Sequence, residues 1–481
     1  MLLPQSLWAL VTLLWLSVPS VRAQTTPVSL SFNTPVTLTG RNFSTTSTPL
    51  LFSLPSPSSP EVTVSLALVF VSNSSSAQVV PGPTGGADVY EVILSGLGLG
   101  NFTFELQTGI TGVLAVYGGS AADSLEIGVS QGTTPLHAPL ADVPFFGDST
   151  ANEALLFSPP FLPPTPAPQP TYPNYTLPLA NTSLPSPPAT QNTPNFTLFL
   201  APLSARLTAL PQTACAVRAG VTNDPRAARS AQVLAEQLWL RDSQGWRREW
   251  LVGQLTPLTN YSVYAIQDGT RLSGPLYFTT KSGDVVLVPT RTRVALLPDH
   301  GYAVPLPVPP ARALVYDATN LPDSLATPLL GYLTNFTTSL LTTACDCAGC
   351  QTAYRHWLCS ISFPRCGEFP QTESTSKQGE QEQPLTVPLP ALVSQPSGMT
   401  PRNAALGNVS DYTALLPCLE TCQAVDRACP IFLGFRCPLP DFTASASYGV
   451  GYIDSADGDV QGGGIPGVAQ DQWGNVLCNA S

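Results

Sequence analysis

The sequence predicts a β-rich front of sandwich-like domains followed by a disulfide-stapled, mainly helical cysteine-rich domain. Three observations carry this. Short β-branched runs separated by Gly, Pro and Ser turns fill residues 24–157, a second such set fills 195–292, and ten of eleven cysteines fall in 293–481.

The chain opens with an apolar core, Leu7 to Val18, followed by Val21-Arg22-Ala23. This is the pattern of a signal peptide spanning residues 1–23 and cleaved after a small residue. Its core is short of the ~20 residues of a membrane span. After Gln24 the longest apolar run, Val62 to Val71, has ten residues and is filled with strand-forming types. It reads as a core strand.

Composition agrees with a secretory route to the outside of the cell. Ten Asn-x-Ser/Thr sequons stand at Asn42, Asn73, Asn101, Asn174, Asn181, Asn195, Asn260, Asn335, Asn408 and Asn479. Along that route they are glycan acceptors. Only 11% of residues are charged, against roughly 25% in average globular chains, and glycans would supply the missing solubility. The net charge of −11 argues against a nucleic-acid partner, which would select a basic stripe.

In residues 24–157 the runs VSLSF, VTLTG, PLLFSL, VTVSLALVFV, DVYEVILSG, NFTFELQ, GVLAVYGG and LEIGVSQ recur at roughly ten-residue spacing. That spacing is expected of a β-sandwich or barrel. Residues 158–194 hold 13 prolines in 37 positions; such a stretch cannot build a core and reads as a semi-rigid linker that few contacts cross. In residues 195–292, LTPLTNYSVY followed by a Gly/Ser turn and YFTTK resembles the end of a fibronectin type III module. Tyr261 takes the place of the tyrosine that bonds back to upstream backbone. Asp224-Pro225 before ARSAQVLAEQL reads as a capped helical insertion.

Residues 293–481 contain a low-complexity insertion at 367–410. Tyr354, Trp357, Leu358 and Ile361 share one helical face, and Pro364 ends that helix. Cys418, Cys422, Val425 and Cys429 form a stripe on a second helix, so these cysteines should bridge outside it. The natural partners are Cys345, Cys347, Cys350, Cys359 and Cys366, and with Cys437 and Cys478 about five bridges are expected. Cys215 is the odd one: a buried thiol or a cross-link. CDCAGC near His356 has ligand-like spacing, but thiolate ligation of zinc belongs to reducing compartments. No metal and no cofactor are expected. Phe146-Gly147-Asp148-Ser149 has the order of an esterase nucleophile motif without the distal Asp-x-x-His. Asp454, Asp457 and Asp459 lack the spacing of a calcium loop. An enzyme is not expected.

Cys345, Cys347 and Cys350, then Tyr354, Trp357, Leu358 and Cys359, then Pro364, Arg365 and Cys366, then Cys418, Cys422, Cys429 and Cys437 form a frame. It resembles the fungal stretch-activated calcium-channel component family, the mating-induced death proteins. The match covers about a third of the chain. A similar frame occurs in the auxiliary subunit of the animal sodium-leak channel, and both look frizzled-like. The resemblance implies an extracellular auxiliary subunit that docks its cysteine-rich domain on the pore-forming subunit of a voltage-gated-type calcium channel. Membrane association would then run through that partner. Tyr354, Trp357, Pro364 and Arg365 are the motif residues considered for channel contact, with Trp357 expected to be structural and Arg365 to reach outward. The competing reading is a secreted or wall-associated adhesion glycoprotein.

Overall fold

The computed structural model describes residues 8–13, 28–39, 50–70, 89–93, 98–105, 112–117, 124–163, 188–189, 193–223, 232–242, 245–282, 286–288, 302–304, 323–342, 348–367, 390–396, 412–451, 464–465, 470–471 and 476–479. The first strands are β1 Trp8–Leu13, β2 Val28–Ser29, β3 Val36–Thr39, β4 Leu50–Leu54, β5 Glu61–Phe70, β6 Val89–Ile93, β7 Leu99–Glu105, β8 Gly112–Tyr117 and β9 Ser124–Gln131. They are followed by β10 Phe145–Ser149, β11 Ala154–Phe157, β12 Phe196–Pro202, β13 Gln232–Asp242, β14 Gly245–Gly253, β15 Asn260–Gln267 and β16 Arg271–Thr279. The last are β17 Val286–Val288, β18 Tyr302–Val304, β19 Arg365–Cys366, β20 Leu392–Gln395 and β21 Tyr412–Leu415. Helices are α1 Ala214–Asn223, α2 Asp323–Thr342, α3 Ala348–Ser362 and α4 Leu419–Ala428.

The chain divides into two compact units. The first comprises residues 1–144, 194–230 and 262–275; the second comprises 145–193, 231–261 and 276–481. Each unit is therefore assembled from segments distant in sequence.

The first unit is β-rich, as its sequence implies. One sheet runs β2-β4-β8-β1-β6 and another β3-β9-β5-β7. Phe52, Leu54 and Leu114 from the first sheet share a core with Val62, Val64, Leu66, Ile127 and Val129 from the second. Each such side chain contributes roughly 1.5–3 kcal/mol on burial. The second sheet is covered on its other face too, so Thr63, Ser65 and Ala67 of β5 are also buried. There α1 is held by Thr213 Oγ1, which donates to the Leu68 carbonyl at 2.5 Å. Trp8–Leu13, read as the centre of a signal peptide, is a strand paired to β6 and β8. The apolar run WALVTL is as competent in a sheet as in a leader. Cleavage remains part of the reading proposed below.

The second unit is built on the sheet β10-β11-β14-β13. Here the domain boundaries drawn from sequence do not follow the chain. β10 and β11, expected to close the first domain, pair with each other, and β11 pairs with β14. The head of the proline-rich stretch prolongs that pairing: Ser158 N donates to the Arg248 carbonyl and Phe161 N to the Trp246 carbonyl, both at 2.8 Å. Residues 164–187 lie outside the described residues.

The expected helical insertion is a strand. Gln232–Asp242 forms a hairpin with β14, because pairing with the neighbouring strand overrides the weak helix preference of AQVLAEQL. The helix lies one segment earlier, at Ala214–Asn223, and ends before Asp224-Pro225. Tyr261 does bond back to upstream backbone: its hydroxyl accepts from Thr256 N at 2.9 Å. Within the stretch read as low-complexity, Leu392–Gln395 is a strand paired with β21. β18 pairs with β17 across the boundary drawn at residue 292.

Candidate functional site

The cysteine-rich module lies wholly in the second unit. Its helices α3 and α4 contain the two faces read from sequence; α2 was not foreseen. Leu329, Leu333, Thr337 and Leu340 are its buried stripe, and that i, i+4, i+8, i+11 spacing was the available signal. Pro328 within α2 obscured it. Gln351 Nε2 of α3 donates to Thr337 Oγ1 of α2 at 2.8 Å.

Three bridges are described: Cys350–Cys429, Cys418–Cys478 and Cys422–Cys437. Each cysteine of the stripe bridges outside α4, as its geometry implied. Two partners differ from those expected within 345–366. Asn479 N donates to the Leu416 carbonyl and Cys418 N to that of Asn479, which sets Cys478 beside Cys418. The turn at Pro430–Gly434 returns the chain so that Cys437 reaches Cys422. Cys359 and Cys366 are buried, while Cys345 and Cys347 lie outside the described residues. Cys215 is a buried free thiol, and burial pushes its pKa up to about 11.

The motif aromatics hold the module together. Tyr354 stacks on Phe336 at 3.7 Å between centroids. Trp357 meets Phe435 edge-on at 4.8 Å, and its Nε1 donates to the Tyr448 hydroxyl at 2.9 Å. Trp357 is half-buried and packs within the module. His356 is neutral-favouring: burial first, then the neighbouring Arg355 cation, lowers its pKa below the ordinary 6.5.

Arg365 and Pro364 do not reach outward. Both are buried, with Arg365 only 7% exposed. Arg365 Nε donates to Asp148 Oδ2 at 3.0 Å and Nη2 to the Gly147 carbonyl at 2.6 Å. Lys281 Nζ donates to Asp148 Oδ1 at 2.8 Å and to the Cys366 carbonyl at 2.7 Å. Asp148, 2% exposed, also accepts from Ser149 N at 2.8 Å. A buried guanidinium needs such a carboxylate, because unpaired charge in a dry interior is costly. The quartet Phe146–Ser149 thus supplies an anchor for the cysteine-rich module. Next to it Cys366 packs with Phe145, Phe157, Trp239 and Leu251. Sequence reasoning missed Asp148 and Lys281 in this role.

A second buried polar cluster sits in the first unit. Ser65 Oγ lies 3.0 Å from His137 Nδ1, and His137 Nε2 is 3.4 Å from Glu126 Oε2. Arg218 Nη2 donates to Glu126 Oε1 at 2.7 Å. Burial pushes Glu126 up, yet His137, Arg218 and Thr37 together hold it below the ordinary carboxylate value. The order of groups is that of a nucleophile relay, but Ser65, His137 and Glu126 are all buried. No substrate reaches them, and the cluster ties α1 to β5 and β9.

Asn101, Asn195, Asn260 and Asn335 are exposed. Asn479 is not an acceptor in the folded chain. It is fully buried, and its Nδ2 donates to the Ser360 and Phe363 carbonyls at 2.9 and 3.1 Å. Asn42, Asn73, Asn174, Asn181 and Asn408 lie outside the described residues, as do Asp454, Asp457 and Asp459. Cys418, Glu420 and Cys478 are close enough to share an ion, but both sulfurs are spent in a bridge and Glu420 Oε1 accepts from Gly451 N at 3.0 Å.

The family described as "Stretch-activated Ca2+-permeable channel component", Mid1, matches residues 53–463. The chain belongs to the Mid1 family. The stretch-activated cation channel MID1 of Cryptococcus neoformans var. grubii is 34% identical over 80% of this chain and 66% of its own length. The stretch-activated cation channel yam8 of Schizosaccharomyces pombe is 25% identical over 47% of this chain and 45% of its own. MID1 of Saccharomyces cerevisiae is 26% identical over 35% and 29%. The chain thus spans two thirds or less of the length of these Mid1 relatives. Among solved structures, a yellow lupin purple acid phosphatase aligns at a TM-score of 0.15 and 13% identity, which carries no argument. No described helix is long and apolar enough to cross a membrane.

Proposed function

We propose that this Mid1-family chain is an extracellular auxiliary subunit of a plasma-membrane calcium channel. It supports stretch- or stress-activated calcium influx by docking its frizzled-like, cysteine-rich domain on the pore-forming subunit. The observation that carries the reading is the family match across 53–463, which includes every bridged cysteine except Cys478. Three disulfides in one small module suit an oxidising compartment, and so support a secretory route with a leader in residues 1–23 and glycans on exposed sequons. Attachment to the membrane then depends on the channel.

Calcium uptake evoked by membrane stretch or cell-wall stress tests the reading. Cells lacking the chain should lose that uptake and regain it on re-expression. Undiminished uptake without the chain would contradict it.

A further inference from the structure

Asn479 opens an acceptor sequon, Asn479-Ala480-Ser481, yet the folded chain uses its carboxamide as a clamp. Nδ2 donates both of its hydrogens, one to the Ser360 carbonyl at 2.9 Å and one to the Phe363 carbonyl at 3.1 Å. These carbonyls belong to the last turn of α3 and the residue beyond it, where a helix leaves C=O groups without intrahelical donors. Oδ1 is buried as well, and the residue is 0% exposed. A sugar bonded to Nδ2 would replace one of the two hydrogens and would need the volume that α3 fills. Glycan and packing therefore exclude each other.

The residue before it decides which prevails. Cys478 is bridged to Cys418, and the bridge packs against Ala391. Backbone bonds flank it: Cys418 N donates to the Asn479 carbonyl at 3.0 Å, Asn479 N to the Leu416 carbonyl at 2.7 Å and Ala391 N to the Leu477 carbonyl at 2.8 Å. Gly449 leaves the space this needs, since a Cβ there would lie 2.9 Å from Cys478 Cβ and 2.4 Å from Ala391 Cβ. Consecutive Cα atoms are about 3.8 Å apart, so the closed bridge holds Asn479 at α3. The two cysteines are separated by 60 residues in sequence. Before closure, bringing them together carries the full loop-closure cost, and Asn479 is free to leave α3.

We propose that the Cys418–Cys478 bridge gates N-glycosylation at Asn479: the asparagine accepts a glycan only on chains in which that bridge is open, and a glycan there keeps it open. The inference rests on the secretory route proposed above. Closure passes two electrons and two protons from the thiols to a protein disulfide of that route, which leaves as a dithiol. Glycan transfer instead bonds Nδ2 to C1 of a sugar carried on a lipid pyrophosphate. The pyrophosphate leaves with the bonding pair, and Nδ2 gives up one proton. Each chain takes one of these two courses, so a glycan at Asn479 marks a cysteine-rich module that has not closed. Asn101, Asn195, Asn260 and Asn335 are exposed and stand outside the gate.

The test is glycopeptide mapping of the full-length chain from secretory cells, alkylated before digestion. Cys478 and Asn479 fall in one peptide, which reports bridge, free thiol and glycan together. In wild type, Asn479 should be bare and Cys478 bridged. A dithiothreitol pulse during synthesis should raise Asn479 occupancy to the level of Asn335, and every glycosylated copy should carry an alkylated Cys478. Cys418→Ser, which leaves the sequon and its flank intact, should do the same, and adding Ser481→Ala should abolish the signal. If Cys418→Ser fails to accumulate, the pulse on wild type decides alone. Cys422→Ser/Cys437→Ser opens a different bridge and should leave Asn479 bare. Equal occupancy in that variant would assign the effect to general unfolding and overturn the gate. A peptide with both glycan and bridge would overturn it too, as would a bare Asn479 in reduced chains whose Asn335 is modified. If no sequon is modified in any chain, the secretory route fails and the inference with it.

Discussion

Arg365 and Asp148, 217 residues apart in sequence, meet in a buried ion pair that joins the cysteine-rich module to the sheet of the second unit. Lys281 completes the node from the other side of the carboxylate. The module is therefore not a separable domain behind a linker. Removing Asp148 leaves two cations without their shared acceptor, and breaking a buried pair in this way costs about 3–5 kcal/mol. Asp148→Asn should lower stability on that order, measured by denaturant unfolding of the full chain. A double-mutant cycle with Arg365→Met should show strong coupling; additive losses would contradict the node.

The same relationship governs truncation. A fragment from about Asp317 to Ser481 keeps Arg365 and Cys366 but loses Asp148, Lys281, Phe145, Phe157, Trp239 and Leu251. It should be secreted poorly and show raised protease sensitivity around residues 348–367. A fragment as resistant as the full chain would show that the contacts outside it are dispensable.

The bridges should differ in worth. Cys350–Cys429 spans a sequence separation of 79 and Cys422–Cys437 one of 15. Loop-closure entropy makes the longer bridge worth about 1.4 kcal/mol more. Replacing each pair by serines and comparing unfolding midpoints is the check. Equal losses would mean that strain or residual unfolded structure dominates.

Acid should weaken the cysteine-rich module through His356. Its folded pKa lies below the ordinary 6.5, so the unfolded chain binds the proton first as pH falls. The contribution is therefore full above that ordinary value and is lost as pH drops through it towards the depressed one. His356→Gln should flatten the change in melting temperature between about pH 7.5 and about pH 5.5. An unchanged slope would place the acid sensitivity elsewhere, with Glu126 protonating at lower pH.

Glycopeptide mapping should find Asn479 unmodified while Asn101, Asn195, Asn260 and Asn335 are open to modification. Asn479→Ala should cost roughly 2 kcal/mol, because it strands two buried carbonyls. Occupancy at Asn479 would contradict the packing of the chain end against α3.

Local signals were the legible ones. Alternating β-branched runs marked β3, β5, β7 and β9, the spacing of Tyr354, Trp357, Leu358 and Ile361 marked α3, and the cysteine stripe marked α4. Tyr261 betrayed its corner by the LTPLTNY that precedes it. What failed depended on partners outside the segment being read. Gln232–Asp242 looked helical until β14 is placed beside it. Arg365 looked outward because Asp148 lies beyond the reach of any local pattern. Cys418 and Cys422 pointed the right way, but the return of residues 430–437 and 476–479 chose their partners.

The most direct test of the central claim is affinity purification of the wild-type chain from detergent-solubilised membranes, read by mass spectrometry. The account predicts that a large multi-span cation-channel polypeptide is enriched with it. Recovery of the chain from the wall or medium, with no channel polypeptide in any membrane fraction, would contradict the auxiliary-subunit reading and favour an adhesion glycoprotein.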